Sequence, residues 1–465
     1  MPDTTKDKPF VSHRLVKAHL TAGFTWFLVA IGAGILFAFQ FHQAYPLAGM
    51  EIFSPGRVRM IHTQLVAYGF IANCFLAGLY WAVPRLTGFR VTSDKLLGNV
   101  ILYVWNGLIA ATVVLISAGF AQAIEWGETP VMIDPLILLG LVLVVIQFAV
   151  PLFRSRERSQ YVTMWYFTGA LAWTGLVYFM GNFFPQYWVP GTGGAALIGL
   201  YIHDLVGLFV TPLGWGLMYY FVPILLKKPI WSHALSLVGF WGLAFFYPLN
   251  GVHHFLYSPI PMYAQYGAIA STIAVEIVVT TVVVNFFATL RGRADYLRHN
   301  IPIRWFYVGM IFYFITCLQC AFQVTLTFQK IIHFTDWVVG HSHLVMFGVF
   351  GFWIFGMIEY LWPRVTGHEW HSRRQSEWAF WLMTIGVLIM FSSLLVAGLV
   401  QGFLWRDMAP FEQSITASMP FWVLRSFAGI LIICGGVIMA NNMWRTARGP
   451  RRELTGGERP APAAA

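Results

Sequence analysis

Twelve predominantly apolar stretches follow one another along the chain, near residues 18–44, 60–84, 97–122, 132–153, 161–183, 196–225, 233–255, 264–289, 304–329, 337–362, 377–402 and 419–443. Each is long enough to cross the hydrocarbon core of a bilayer, which an α-helix spans in roughly 20 residues. In that core no water can satisfy a backbone N–H or C=O, so each stretch must close its hydrogen bonds within itself. The expected fold is therefore an all-α integral membrane protein of twelve transmembrane helices in one bundle over residues 15–447. A cytoplasmic N-terminal tail (1–14) precedes it, and a disordered cytoplasmic tail (448–465), rich in Pro, Gly and Ala, follows it. Charged residues are only 10% of the chain, against about 25% in soluble proteins, and neither a soluble domain nor an internal repeat stands out.

An even number of spans puts both termini on one side of the membrane, and the basic residues select the side. The N-terminus carries Lys6, Lys8, Arg14 and Lys17, and alternate connections carry Arg85, Arg90 and Lys95; Arg154, Arg156 and Arg158; and Lys227 and Lys228. Arg291, Arg293, Arg298 and Arg304, then Arg364, Arg373 and Arg374, and finally Arg445, Arg448, Arg451, Arg452 and Arg459 continue the pattern. This excess marks the cytoplasmic face. The opposite connections are rich in Trp, Pro and acids, as in Glu125-Trp126-Gly127-Glu128. The net charge of +10 thus orients the chain in a lipid bilayer, and nucleic acid is not an expected partner. Cys317 and Cys320 form a CxxC, but Ala321 follows it where covalent haem attachment needs His. With Cys74 and Cys434 they read as packing residues.

Of fourteen histidines, His13, His19, His233, His299, His368 and His371 sit at cytoplasmic ends, where solvation is the default, and His42 and His333 lie at the opposite ends. The other six, His62, His203, His253, His254, His341 and His343, fall inside spans two, six, seven and ten, all toward the non-cytoplasmic side. His341 and His343, two apart, point about 200° from each other on a helix. Intramembrane imidazoles need partners, and imidazole suits copper and iron. His62 and His343 could clamp one haem iron from both sides, His341 could hold a second haem by one side, and His203, His253 and His254 would make a three-imidazole copper site. The alternative is that each histidine bonds a neighbouring helix.

Phe209-Val210-Thr211…Met218-Tyr219-Tyr220-Phe221-Val222-Pro223, Tyr247…Gly251-Val252-His253-His254 and His333-Phe334-Thr335-Asp336-Trp337…Gly340-His341-Ser342-His343 resemble the haem–copper oxidase superfamily, in particular subunit I of the cbb3-type (C-family) cytochrome c oxidases. The resemblance implies a terminal respiratory oxidase in a bacterial inner membrane, reducing O2 to water with electrons from a c-type cytochrome and with coupled proton uptake and pumping. It implies low-spin haem b on His62 and His343, high-spin haem b3 on His341, and copper B on His203, His253 and His254, the centre lying toward the periplasmic side. It further implies a redox-active Tyr247 joined to His203, haem propionates near Arg57 and His333, a calcium ion at Glu125, and a proton path through Thr211, Tyr219, Ser236 and Tyr247. Membrane-anchored c-type cytochrome subunits are the expected partners.

Three features depart from the pattern or stand outside it: Gln319 replaces a common glutamate, Leu326 replaces a lysine, and Glu276 is an intramembrane acid without an assigned role. The main rival is a nitric oxide reductase of the same superfamily, with iron in place of copper. Such reductases carry a glutamate four residues after the span-six histidine, where this chain has Gly207, and they lack the span-seven tyrosine, present here as Tyr247. A transporter or haem-binding sensor would leave the three-imidazole set without purpose.

Overall fold

The computed structural model describes residues 10–42, 45–155 and 160–449. Most of both predicted tails, and Arg156 and Arg158, lie outside these residues. Among the described residues, twelve long helices make up the bundle: α1 (His13–Phe39), α2 (Pro55–Thr87), α3 (Leu96–Ser117), α4 (Asp134–Arg154), α5 (Val162–Tyr187), α6 (Gly191–Leu226), α7 (His233–Phe255), α8 (Met262–Leu290), α9 (Ile301–Gln323), α10 (Asp336–Thr366), α11 (Arg373–Arg406) and α12 (Phe411–Arg448). All but α5 are apolar enough over a membrane length to be read as spans from composition alone. The α5 sequence is diluted by Trp, Tyr, Asn and Gln, yet it packs between α6 and α4 in the same bundle. No strand occurs among the described residues.

The bundle has a threefold repeat. Helices α2, α6 and α10 are the three most buried, and each carries one π-helical segment soon after its histidine: Leu65–Ile71 after His62, Leu205–Val210 after His203, and Leu344–Gly351 after His343. Such segments break the α-helical register and recur at functional sites. Toward its C-terminal end each of these helices holds a proline, Pro84, Pro223 or Pro363. A serine then opens the next helix. The hydroxyls of Ser93, Ser232 and Ser372 accept from the backbone N–H of Leu96, Leu235 and Gln375; at Ser232 and Ser372 this is the N-cap bond that satisfies a free helix-end donor, and Ser93 does the same from two residues before the N-cap. One amide side chain from the helix after that clamps the backbone of each serine: Gln147 on Ser93, Asn285 on Ser232 and Asn442 on Ser372. The repeat puts the same device, a histidine above a π segment, at the centre of the bundle three times.

Two expectations need correction. His19 is fully buried rather than solvated: its Nδ1 lies 3.0 Å from Asn73 Oδ1 and its ring stacks on Tyr80. Span seven is not a continuous α-helix through its histidines. The α-helical part ends at Phe246, and Tyr247–Leu249 and Gly251–Phe255 are 3₁₀ turns. At three residues per turn, Tyr247, Asn250 and His253 fall on one line.

Candidate metal centres

His203 from α6 meets His253 and His254 from the 3₁₀ end of α7. One ligating atom from each of the three lies within 4.8 Å of the others. His203 Nδ1 and His254 Nε2 are 3.3 Å apart. Two nitrogens bound tetrahedrally to one ion at bonds of about 2 Å are separated by about that distance. His253 Nδ1 is 2.8 Å from Thr272 Oγ1 of α8, which leaves its Nε2 for a metal. An outer partner of this kind fixes the orientation of a ligating ring. These residues fit a three-imidazole copper site.

Beside this set the Tyr247 ring stacks on the His203 ring, with centroids 4.7 Å apart and planes at 19°. His203 Nε2 is buried and has no hydrogen-bond partner among the described residues. The Tyr247 hydroxyl interacts with the Thr211 hydroxyl. Gly207, one turn beyond His203, makes this arrangement possible, because a Cβ there would overlap Cδ1 and Cε1 of Tyr247. Position 207 can hold a side chain, or Tyr247 can lie against His203, but not both.

His62 on α2 and His343 on α10 face each other with ring centroids 6.2 Å apart and planes at 21°. Imidazoles on opposite sides of one ion, with bonds of about 2 Å, have centroids roughly 6 Å apart. The Nδ1 of each is committed to a backbone carbonyl, His62 to Ala30 at 2.7 Å and His343 to Val339 at 2.8 Å. Each Nε2 is thus left for a metal. Gly34 of α1 provides the room: a methyl group there would lie 2.7 Å from His62 Cε1.

His341 turns to the other side of α10. Its Nδ1 is 3.0 Å from Gln319 Oε1 of α9, and its Nε2 is 3.2 Å from Gln323 Nε2 and 3.6 Å from Cys320 Sγ. Iron on that Nε2 would require the Gln323 amide, which accepts from Trp337 Nε1 at 3.0 Å, to move aside, while the Gln319 contact can stay. Gln319, a departure in the sequence, is therefore the outer partner of His341, and Cys320 borders the ligand rather than only filling space.

The sequence profile of the family described as cytochrome c and quinol oxidase polypeptide I matches residues 14–431. The chain belongs to this family. Cytochrome c oxidase subunit 1 of Rhodobacter capsulatus is 29% identical over 466 residues, covering 96% of this chain and 87% of that protein. The cbb3-type cytochrome c oxidase subunit CcoN1 of Stutzerimonas stutzeri is 28% identical over 456 residues, 94% of this chain and 95% of that one. A nitric oxide reductase chain of the same organism matches over only 130 residues at 28% identity, 25% of this chain and 27% of its own. A solved heme–copper terminal oxidase dimer superposes with a TM-score of 0.77 at 15% identity over 96% of this chain and 86% of its own, a likeness of fold. This is a haem–copper oxidase subunit I, a multi-pass membrane oxidoreductase.

The other candidate residues of this oxidase subunit divide. His333 Nε2 lies 3.2 Å from the His254 carbonyl, beside the three-histidine set. Arg57 bonds the Glu51 carboxylate and the Ser117 carbonyl. Glu125 is exposed, and Glu128 is the acid that turns inward. Glu128 accepts from Gln64 Nε2 at 2.7 Å and pairs with Arg59 at 3.3 Å. Burial pushes its carboxyl above the ordinary range, with Gln64 and Arg59 opposing. Tyr219 stacks on Tyr166, and its hydroxyl lies 3.5 Å from Asn285 Nδ2. The Ser236 hydroxyl donates back to the His233 carbonyl. Of the proton-path residues, Thr211 is the one whose side chain acts on the Tyr247 hydroxyl among the described residues. Glu276 sits one turn after Thr272 on α8, within electrostatic reach of Tyr247, Cys317 and Cys320.

Proposed function

We propose that this subunit is the catalytic chain of a cbb3-type cytochrome c oxidase that reduces O2 to water. The observation that carries the reading is the Tyr247 ring lying in the space that Gly207 leaves, against His203, whose Nε2 is unpartnered. A nitric oxide reductase of the ordinary kind needs a carboxylate at that position, and the space is already filled. His62 and His343 would hold a low-spin haem b, His341 a high-spin haem b, and His203, His253 and His254 the copper. When bound, these groups supply the one-electron steps that reduce the substrate.

The chain's own residues then have distinct work. The backbone carbonyls of Ala30 and Val339 hold the His62 and His343 rings in one tautomer, so that each presents Nε2. An iron held by both imidazoles would be left to electron transfer. The His341–Gln319 contact orients the ligand on the far face of α10, so one helix would stand between the two haems. Tyr247 can give an electron together with its phenolic proton, and Thr211 is placed to return that proton. Tyr219 and Asn285 lie further toward the Lys227–Lys228 end of α6, where proton uptake would begin. Electrons would come from a membrane-anchored c-type cytochrome subunit, since this chain has no site for covalent haem.

The copper assignment is tested by His253→Ala. Metal analysis of the purified complex should show copper lost and both haems retained. Loss of a haem with copper intact would sink the assignment.

A further inference from the structure

The oxidisable rings are not spread evenly through the bundle. One turn from the paired histidines, where α1, α2 and α10 meet, the touching rings are phenylalanines: Phe27 meets Phe70, Phe347 and Phe355, and Phe70 meets Phe355. A phenyl ring holds its electrons too tightly to be oxidised at the potentials of a respiratory oxidase. Beside Tyr247 the rings are indoles and phenols. Thr211, which acts on the Tyr247 hydroxyl, is followed on α6 by Trp215, one helical turn or about 6 Å along the axis. Trp215 is fully buried, and its Nε1 has no hydrogen-bond partner among the described residues. Its ring meets Tyr313 of α9 edge to face, with centroids 5.8 Å apart, and Tyr166 of α5 at 5.5 Å. Tyr313 in turn lies within electrostatic reach of Tyr247. From Tyr166 the contacts run outward. Tyr166 and Trp165 both touch Phe240, at 5.4 and 5.6 Å, and Trp165 meets Trp241 at 5.8 Å. Trp241 of α7 is 59% exposed.

We propose that Trp215, Trp165 and Trp241 form a relay that carries an oxidising equivalent from Tyr247 to the protein surface when an electron is late in reaching the metal centre. The relay rests on the reading of Tyr247 as the phenol oxidised when the O–O bond is broken. The Tyr247 phenoxyl radical takes one electron from Trp215 and recovers its proton from the Thr211 side, which restores the phenol. Trp215 becomes a cation radical. An indole N–H is a donor only, and with no acceptor beside it the proton stays in place. An electron then crosses from Trp165 to Trp215 past the intervening Tyr166 ring, and another from Trp241 to Trp165 across their direct contact. At the surface a lipid-soluble hydroquinone in the bilayer gives Trp241 one electron and leaves as a semiquinone and a proton. The oxidant that would otherwise attack the copper ligands is consumed outside the site.

The test is to oxidise the purified complex with hydrogen peroxide, freeze it at intervals and follow the radicals by high-field electron paramagnetic resonance, which separates indole from phenol signals. In the parent a tyrosyl radical should give way to a tryptophan radical. Trp215→Phe keeps a ring in the bundle and removes the indole. Its initial oxygen turnover should be unchanged, its tryptophan signal lost, and peptide mapping should find oxidative damage gathered at His203 and Tyr247. If that variant does not accumulate, Trp241→Phe changes only an exposed ring, and an added short-chain hydroquinone should no longer quench the radical. A tryptophan radical that forms and decays in Trp215→Phe as in the parent, or quenching that survives Trp241→Phe, would overturn the relay. A tryptophan radical formed undiminished in Tyr247→Phe would overturn Tyr247 as its source instead.

Discussion

Tyr247→Phe is expected to lower oxygen turnover by roughly 10²-fold or more, the scale on which a positioned proton donor contributes, while haem content, copper content and carbon monoxide binding survive. The substitution keeps the ring that fills the space over Gly207 and removes only the hydroxyl. Breaking the O–O bond takes four electrons, and a phenol beside the metals supplies one of them with its proton. Nitric oxide reduction takes two and has no such need. Gly207→Ala should reach a similar loss by another route, because its methyl group pushes the Tyr247 ring off His203. Peptide mapping of the unmutated protein should recover the α6 and α7 fragments linked through His203 and Tyr247, the free Nε2 being the nitrogen available for the bond. A Phe variant that turns over oxygen near normally, with no linked peptide in the parent, would remove Tyr247 from the chemistry.

The second large effect separates the two sides of α10. His343→Ala or His62→Ala should abolish the six-coordinate haem signal and with it turnover driven by a c-type cytochrome. The haem that binds carbon monoxide should remain. His341→Ala should do the reverse, losing the carbon monoxide-binding haem and sparing the six-coordinate one. The prediction follows from two backbone anchors, Ala30 and Val339, that serve one pair only, and from Gln319, which serves the other ligand. A low-spin spectrum that survives His62→Ala would show the axial pairing to be wrong.

Much of this architecture was legible because a bilayer leaves few choices. Apolar length marked the helices, and α5 is the weakest of the twelve because aromatic and amide side chains dilute it. The histidines were legible because imidazoles inside a membrane need a reason. The threefold repeat was not, since its marks are single residues, Pro84, Pro223 and Pro363 with Ser93, Ser232 and Ser372, scattered among unlike apolar neighbours. The π segments leave no compositional sign at all. The 3₁₀ geometry of Tyr247 to His254 was hidden for a related reason: helical spacing gave one face by α-helical counting, and the actual turn is tighter. Glu125 and Glu128 differ by less than one turn, and only packing against Gln64 and Arg59 selects Glu128 as the inward one. The polar ends of α11 and α12 stay helical beyond the apolar windows because the two helices pair along their length.

Metal analysis of the purified complex, together with its turnover of oxygen and of nitric oxide, tests the central claim most directly. Two b-type haems and one copper per chain, with oxygen reduced far faster than nitric oxide, is the predicted result. Non-haem iron in place of copper with nitric oxide as the faster substrate, or two haems with no third metal, would contradict it.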